Sequence, residues 1–100
     1  MNQMQQMIMQ AQKMQRELQK AKDALAEKEF TVSKGGAVTV VVLGDKKVKS
    51  ISIDKDAFDP ENKEMVEEMI SLAINEANDQ IDKENAEIEV KIAGRSGVLF

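Results

Sequence analysis

The sequence has no cysteine and no histidine. Disulfides, thiolate nucleophiles, imidazole bases and the commonest zinc and iron ligands are excluded together. Tryptophan and tyrosine are also missing, and three phenylalanines are the only aromatic residues among the 100. The core is therefore expected to be aliphatic and methionine-based, without the ring platforms on which single-stranded nucleic acid stacks. No apolar run approaches the roughly 18 residues of a membrane span, and the start of the chain lacks the basic, then continuously apolar, pattern of a secretion signal. A chain of this length reads as one cytoplasmic domain without a membrane partner. Carboxylates, lysines and a few serines are its only reactive groups, so it is expected not to be an enzyme and to use no cofactor or small-molecule substrate.

Charge is plentiful but unevenly placed, within a formal net charge of −4. Residues 1–30 hold five basic and four acidic side chains, residues 31–55 five and two, and residues 56–90 two and twelve. A mildly basic half is joined to a strongly acidic one. A polyanionic partner must then be met by local clusters rather than by the chain as a whole.

The periodicity changes twice along the chain. Met4, Met7, Ala11, Met14, Leu18, Ala21 and Leu25 are separated alternately by three and four residues. That is a heptad seam on a helix uninterrupted by glycine or proline before Glu29, and over three heptads it predicts a coiled coil. Such a helix spans roughly 40 Å, longer than a 100-residue globule can cover, so the seam is expected to meet a second chain through Met7, Met14, Leu18 and Leu25. From Phe30 the β-branched density rises and the period becomes two. Three strands follow, around Phe30–Ser33, Val38–Leu43 and Val48–Ile53, with Gly35-Gly36 and Gly44 expected to supply the positive φ of two hairpin turns. Four consecutive apolar residues, Val40 to Leu43, suggest a middle strand covered on both faces. Asp59-Pro60-Glu61 reads as the start of a second helix, with an apolar stripe of Met65, Val66, Met69, Ile70, Ala73, Ile74, Ala77 and Ile81. Ile88-Glu-Val90-Lys-Ile92 alternates like a strand yet follows a helix without a breaker, which leaves residues 86–92 open between the two states. The domain is placed at residues 1–93, with residues 94–100 as a flexible tail.

Two clusters carry binding potential. Lys13, Arg16 and Lys20 fall on one helical face away from the seam, where they form either a set of phosphate contacts or an ordinary solvated face. Lys46, Lys47 and Lys49 gather at the second hairpin, where lysines also protect a sheet edge from pairing with other chains. Seven of the eight glutamines lie in the first 19 residues, and on a helix they form a solvated, uncharged face. The carboxylates of Asp54, Asp56 and Asp59 have the opening spacing of a calcium loop, but the glycine and the closing glutamate of such a loop are missing, and turn caps account for them. Gly35-Gly36 lacks the Lys-Ser/Thr of a phosphate cradle.

The order of Met9-Gln-Ala-Gln-Lys-Met-Gln15, Gly36-Ala-Val-Thr-Val40 closed by Gly44, Ile51-Ser-Ile53-Asp54, and Glu64-Met-Val-Glu-Glu-Met69 leading to Ala73-Ile-Asn75-Glu-Ala77 resembles the YbaB/EbfC family of small bacterial nucleoid-associated proteins. The resemblance covers about residues 4–83; the C-terminal end lacks the proline-containing tail common in the family. It implies an α+β fold of α-β-β-β-α order, a tweezer-like homodimer, and non-enzymatic association with the nucleoid through double-stranded DNA. Charge, rather than any family motif, nominates Lys13, Arg16, Lys20, Lys46, Lys47 and Lys49 as DNA contacts, made to phosphates with little sequence specificity. The alternative is a protein-binding adaptor that uses the Met/Gln-rich helix and the acidic second helix.

Overall fold

The computed structural model describes residues 2–96. Its first helix, α1, spans Gln3–Glu27. Asn2 opens it with a reciprocal cap: the Asn2 side-chain oxygen accepts from the Gln5 backbone N–H at 2.8 Å, and Gln5 Oε1 accepts from the Asn2 N–H at 3.4 Å. Two of the donors left over at a helix start are thereby satisfied. Three strands follow, β1 (Glu29–Lys34), β2 (Val38–Leu43) and β3 (Val48–Ile53), paired antiparallel in the order β1-β2-β3. Two single-turn 3₁₀ helices, Lys55–Ala57 and Pro60–Asn62, lead into α2, Lys63–Ser96. The expected α-β-β-β-α order is present.

Register explains where the core sits. Phe30 lies opposite Val42, Val32 opposite Val40, and Val38 and Val40 opposite Ile53 and Ile51. Residues directly across a ladder share a face, so one side of the sheet is apolar except for Lys34, opposite Val38 at its end. α2 lies on that side, and Ala73 and Ala77, both fully buried, let the helix backbone come close to the strands. Val66 and Ile81 complete the contact, with Met69, Ile70 and Ile74 half-buried around it. Each buried valine contributes about 1.5 kcal/mol or more relative to exposure.

The other face of the sheet corrects the expectation for β2. Thr39, Val41 and Leu43 are only partly buried, so β2 is packed on one side. Thr39 and Ser33 share a hydroxyl hydrogen bond of 2.9 Å there. The run of four apolar residues reflects strand preference for β-branched side chains flanked by neighbours, not a second layer.

Glycine roles also differ between the hairpins. Gly35 and Gly36 adopt φ of 59° and 65° as expected, whereas at the second hairpin the positive φ, 73°, belongs to Lys46. Gly44 is required for space. A Cβ on it would lie 1.8 Å from the Leu25 carbonyl oxygen, because the end of α1 rests directly on this turn, where the Gly44 N–H donates to Lys28 O at 2.9 Å. Asp59 caps a 3₁₀ turn rather than α2 itself, its carboxylate accepting from the Glu61 N–H at 2.9 Å, and Asp54 does the same for Asp56 at 2.8 Å. These carboxylates serve as turn caps.

Residues 86–92 are helical, as part of α2. Ile88 is half-buried and Ile92 is 3% exposed, while Val90 is 62% exposed. The alternation is therefore incidental: Ile81, Ile88 and Ile92 keep helical spacing, and Val90 faces out. The helix continues through Gly94 to Ser96, three residues into the segment read as tail; residues 97–100 lie outside the described residues. α1 and α2 pack antiparallel, aligned by Lys28–Glu84 at 2.6 Å and Lys22–Glu89 at 2.9 Å. The C-terminal half of the heptad seam is consequently covered within the chain. Leu25 is 6% exposed and belongs to the chain's own core, which removes it from the expected dimer interface. Leu18 and Met14 are half-buried, and Met7 stays exposed. The molecule measures 71 × 22 × 15 Å with a radius of gyration of 19.8 Å, against about 13 Å for a compact chain of this length. The helix pair is an arm that projects from the sheet.

Candidate nucleic-acid interface

α1 places Lys13, Arg16 and Lys20 on one exposed strip of the arm. The local reason is the helical repeat: steps of three and four residues return to the same face, and here that face is opposite the seam covered by α2. Only one acidic residue, Glu17, occurs in the first 20 positions. No carboxylate among the described residues pairs with any of the three cations at ion-pair distance. Their charge is directed to solvent.

The hairpin lysines have a different electrostatic setting. Lys46 Nζ lies 2.7 Å from Asp82 of α2, Lys49 Nζ 2.8 Å from Glu29 of β1, and Lys47 Nζ 3.9 Å from Asp45. Lys34 similarly meets Glu76 at 2.9 Å. Exposed pairs of this kind contribute little to stability, but each carboxylate cancels much of the field its lysine would present to a polyanion. The structure thus separates two clusters that looked alike as sequence. The triad on α1 is uncompensated, whereas Lys46 and Lys49 of the hairpin cluster are paired at short range and Lys47 only loosely.

The pairing also gives four of the twelve acidic residues at positions 56–90 a partner. Glu76, Asp82, Glu84 and Glu89 of α2 meet Lys34 of β1, Lys46 of the second hairpin turn, Lys28 at the end of α1 and Lys22 of α1, respectively. Sequence alone could not show this, because the partners are 36 to 67 positions apart. Among the described residues no group of acidic side chains is arranged to hold a metal ion, and no helix is long and apolar enough to cross a membrane.

One apolar surface was not anticipated. β3 lies at the edge of the sheet, where α2 covers it only in part, so Val48 and Ile51, on the core side by register, are each 44% exposed. Beyond the C-terminal end of β3 a shallow groove is lined by Ile53, Ala57, Phe58, Pro60 and Val66, with Asp59 and Lys63 at its rim, and Phe58 is 79% exposed. A phenylalanine left in water next to an open strand edge marks a surface suited to association.

The sequence profile of the YbaB/EbfC DNA-binding family matches residues 1–96. A nucleoid-associated protein of Clostridium novyi is 44% identical over 89 residues, covering 88% of this chain and 78% of the relative. One from Metamycoplasma arthritidis is 41% identical over 90 residues, covering 90% and 94%. Another, from Enterococcus faecalis, is 41% identical over 85 residues, covering 84% and 82%.

Proposed function

Because the chain belongs to the YbaB/EbfC DNA-binding family, we propose that it is a non-enzymatic, nucleoid-associated protein that holds double-stranded DNA as a homodimer, through phosphate contacts with little sequence specificity. The observation that carries this reading is the uncompensated strip of Lys13, Arg16 and Lys20 on a projecting arm. A strip of cations attracts phosphates of any sequence, and counterion release makes the affinity fall with salt. Six cations per dimer set an upper slope of about −5 for log K against log salt, which the acidic surface elsewhere reduces. Titration of a labelled duplex over a salt series measures it. Affinity independent of salt refutes the electrostatic mechanism, and absence of binding even at low salt favours the adaptor reading.

Dimerisation is assigned to the uncovered side of β3. The seam on α1 is half satisfied within the chain, whereas Val48, Ile51 and Phe58 remain open beside an unpaired strand edge. Two copies joined there bring two basic arms out from one centre. Ile51→Asp places a charge on this patch at a position 44% exposed, so association weakens, and circular dichroism checks that the fold is retained. Sedimentation at micromolar concentration is expected to show a dimer for the unmodified chain and a monomer for the variant. A variant that remains dimeric moves the interface away from β3, to the exposed seam around Met4 and Met7.

A further inference from the structure

The cationic strip does not end at Lys13. Met9 and Gln6 extend it toward the projecting end of α1 with the same alternation of three and four residues. Gln6, Met9, Lys13, Arg16 and Lys20 therefore share one face of a regular helix, and all five are exposed. Along this face, roughly 21 Å long, the chemistry changes. Residues 2–12 contain no charged side chain, and every polar residue among them is an amide.

An amide carries no charge to attract phosphates, although its NH2 can donate to one. It offers a donor and an acceptor side by side, the pattern that matches adenine N6 and N7 in the major groove. The amides at the tip are not equivalent. Asn2 and Gln5 bind each other in the helix cap, whereas Gln6 has no hydrogen-bond partner through its side chain among the described residues and stands on the strip itself. An α-helix with its side chains is about 10–12 Å across, and the major groove of B-form DNA is about 12 Å wide. α2 packs on the opposite, seam side of α1, so the strip face is free along the arm.

We propose that the tip of α1 enters the major groove, where Gln6 hydrogen-bonds an adenine edge while Lys13, Arg16 and Lys20 hold the flanking phosphates. The proposal rests on the DNA-binding reading above and adds a base preference to it. One amide–adenine contact discriminates by about five- to tenfold at the low end of its range. That is small beside the thousandfold or more that separates site-specific proteins from their background, so the grip stays predominantly sequence-tolerant.

The test compares three 20-base-pair duplexes of equal length and charge: one rich in A·T, one rich in G·C, and the A·T duplex with 7-deazaadenine, which keeps base pairing and N6 but lacks the N7 acceptor. The unmodified protein is expected to bind the A·T duplex five- to tenfold more tightly than the other two. Gln6→Ala, an exposed helical change whose folding is checked by circular dichroism, should bring all three affinities together and leave the salt slope unchanged. Equal affinities for the unmodified protein overturn the proposal while leaving the phosphate grip intact. A preference that survives 7-deazaadenine or Gln6→Ala also overturns it, because the reading is then of groove shape or another edge. Loss of all binding at low salt overturns both this proposal and the DNA-binding reading beneath it.

Discussion

Reversing Lys13, Arg16 and Lys20 to Glu is expected to lower affinity for double-stranded DNA by a factor on the order of 10² to 10³ at 50 mM salt. The loss should be the same for every sequence tested, because phosphate contacts position a protein without reading bases. Folding should survive, since all three side chains are exposed on the side of α1 away from α2; surface changes of this kind cost about 0.5 kcal/mol or less per site. Reversing Lys46, Lys47 and Lys49 provides the comparison. Their charges already face Asp82, Asp45 and Glu29, so the affinity should change by only a few-fold. Fluorescence anisotropy at several salt concentrations measures both variants, with sedimentation run alongside because Lys49 lies on β3. If the hairpin variant loses binding while the helix variant keeps it, the sheet end grips DNA and the assignment to α1 is wrong.

The largest effect on stability is expected at Gly44. A Cβ there would sit 1.8 Å from the Leu25 carbonyl oxygen and 2.6 Å from its carbon. Both atoms are backbone at the end of α1, so no side chain can rotate away. Gly44→Ala must separate the helix end from the hairpin, breaking the Gly44–Lys28 hydrogen bond and disturbing the packing of Leu25. Overpacking against fixed backbone costs about 3 kcal/mol or more. A domain of this size loses roughly 4–8 °C in melting temperature per kcal/mol, so the drop should be about 12–24 °C. Gly36→Ala separates space from backbone angle: nothing lies within 4 Å of its added carbon, but its φ is +65°, a conformation that costs about 1–2 kcal/mol for a residue with a side chain. A thermal melt in which Gly44→Ala falls no further than Gly36→Ala would show that the helix end and the hairpin part easily, against the cost assigned to close approach.

The same residue illustrates what could be read in the chain beforehand. Glycine at a hairpin is ordinarily explained by positive φ, yet here Lys46 takes that conformation. The sequence marked the turn correctly and misassigned its cause, since contact with Leu25, 19 positions earlier, is not a local property. Ile88 and Ile92 show the converse. Their local alternation with Val90 resembled a strand, and only the presence of α1 alongside distinguishes the two buried isoleucines from the exposed valine.

Element order, strand number and the triad on one helical face were determined by the sequence itself, because they follow from periodicity, turn residues and capping groups within a few positions of each other. The tertiary structure decided which apolar and charged residues remain available. The antiparallel docking of α2 covers half the seam and takes Leu25 into the chain's own core. The fold also brings Asp82 to Lys46 and Glu29 to Lys49 while leaving Lys13, Arg16 and Lys20 unopposed. Charge and apolar surface act through distances in space, and a helix–strand–helix chain sets those distances only once it has packed.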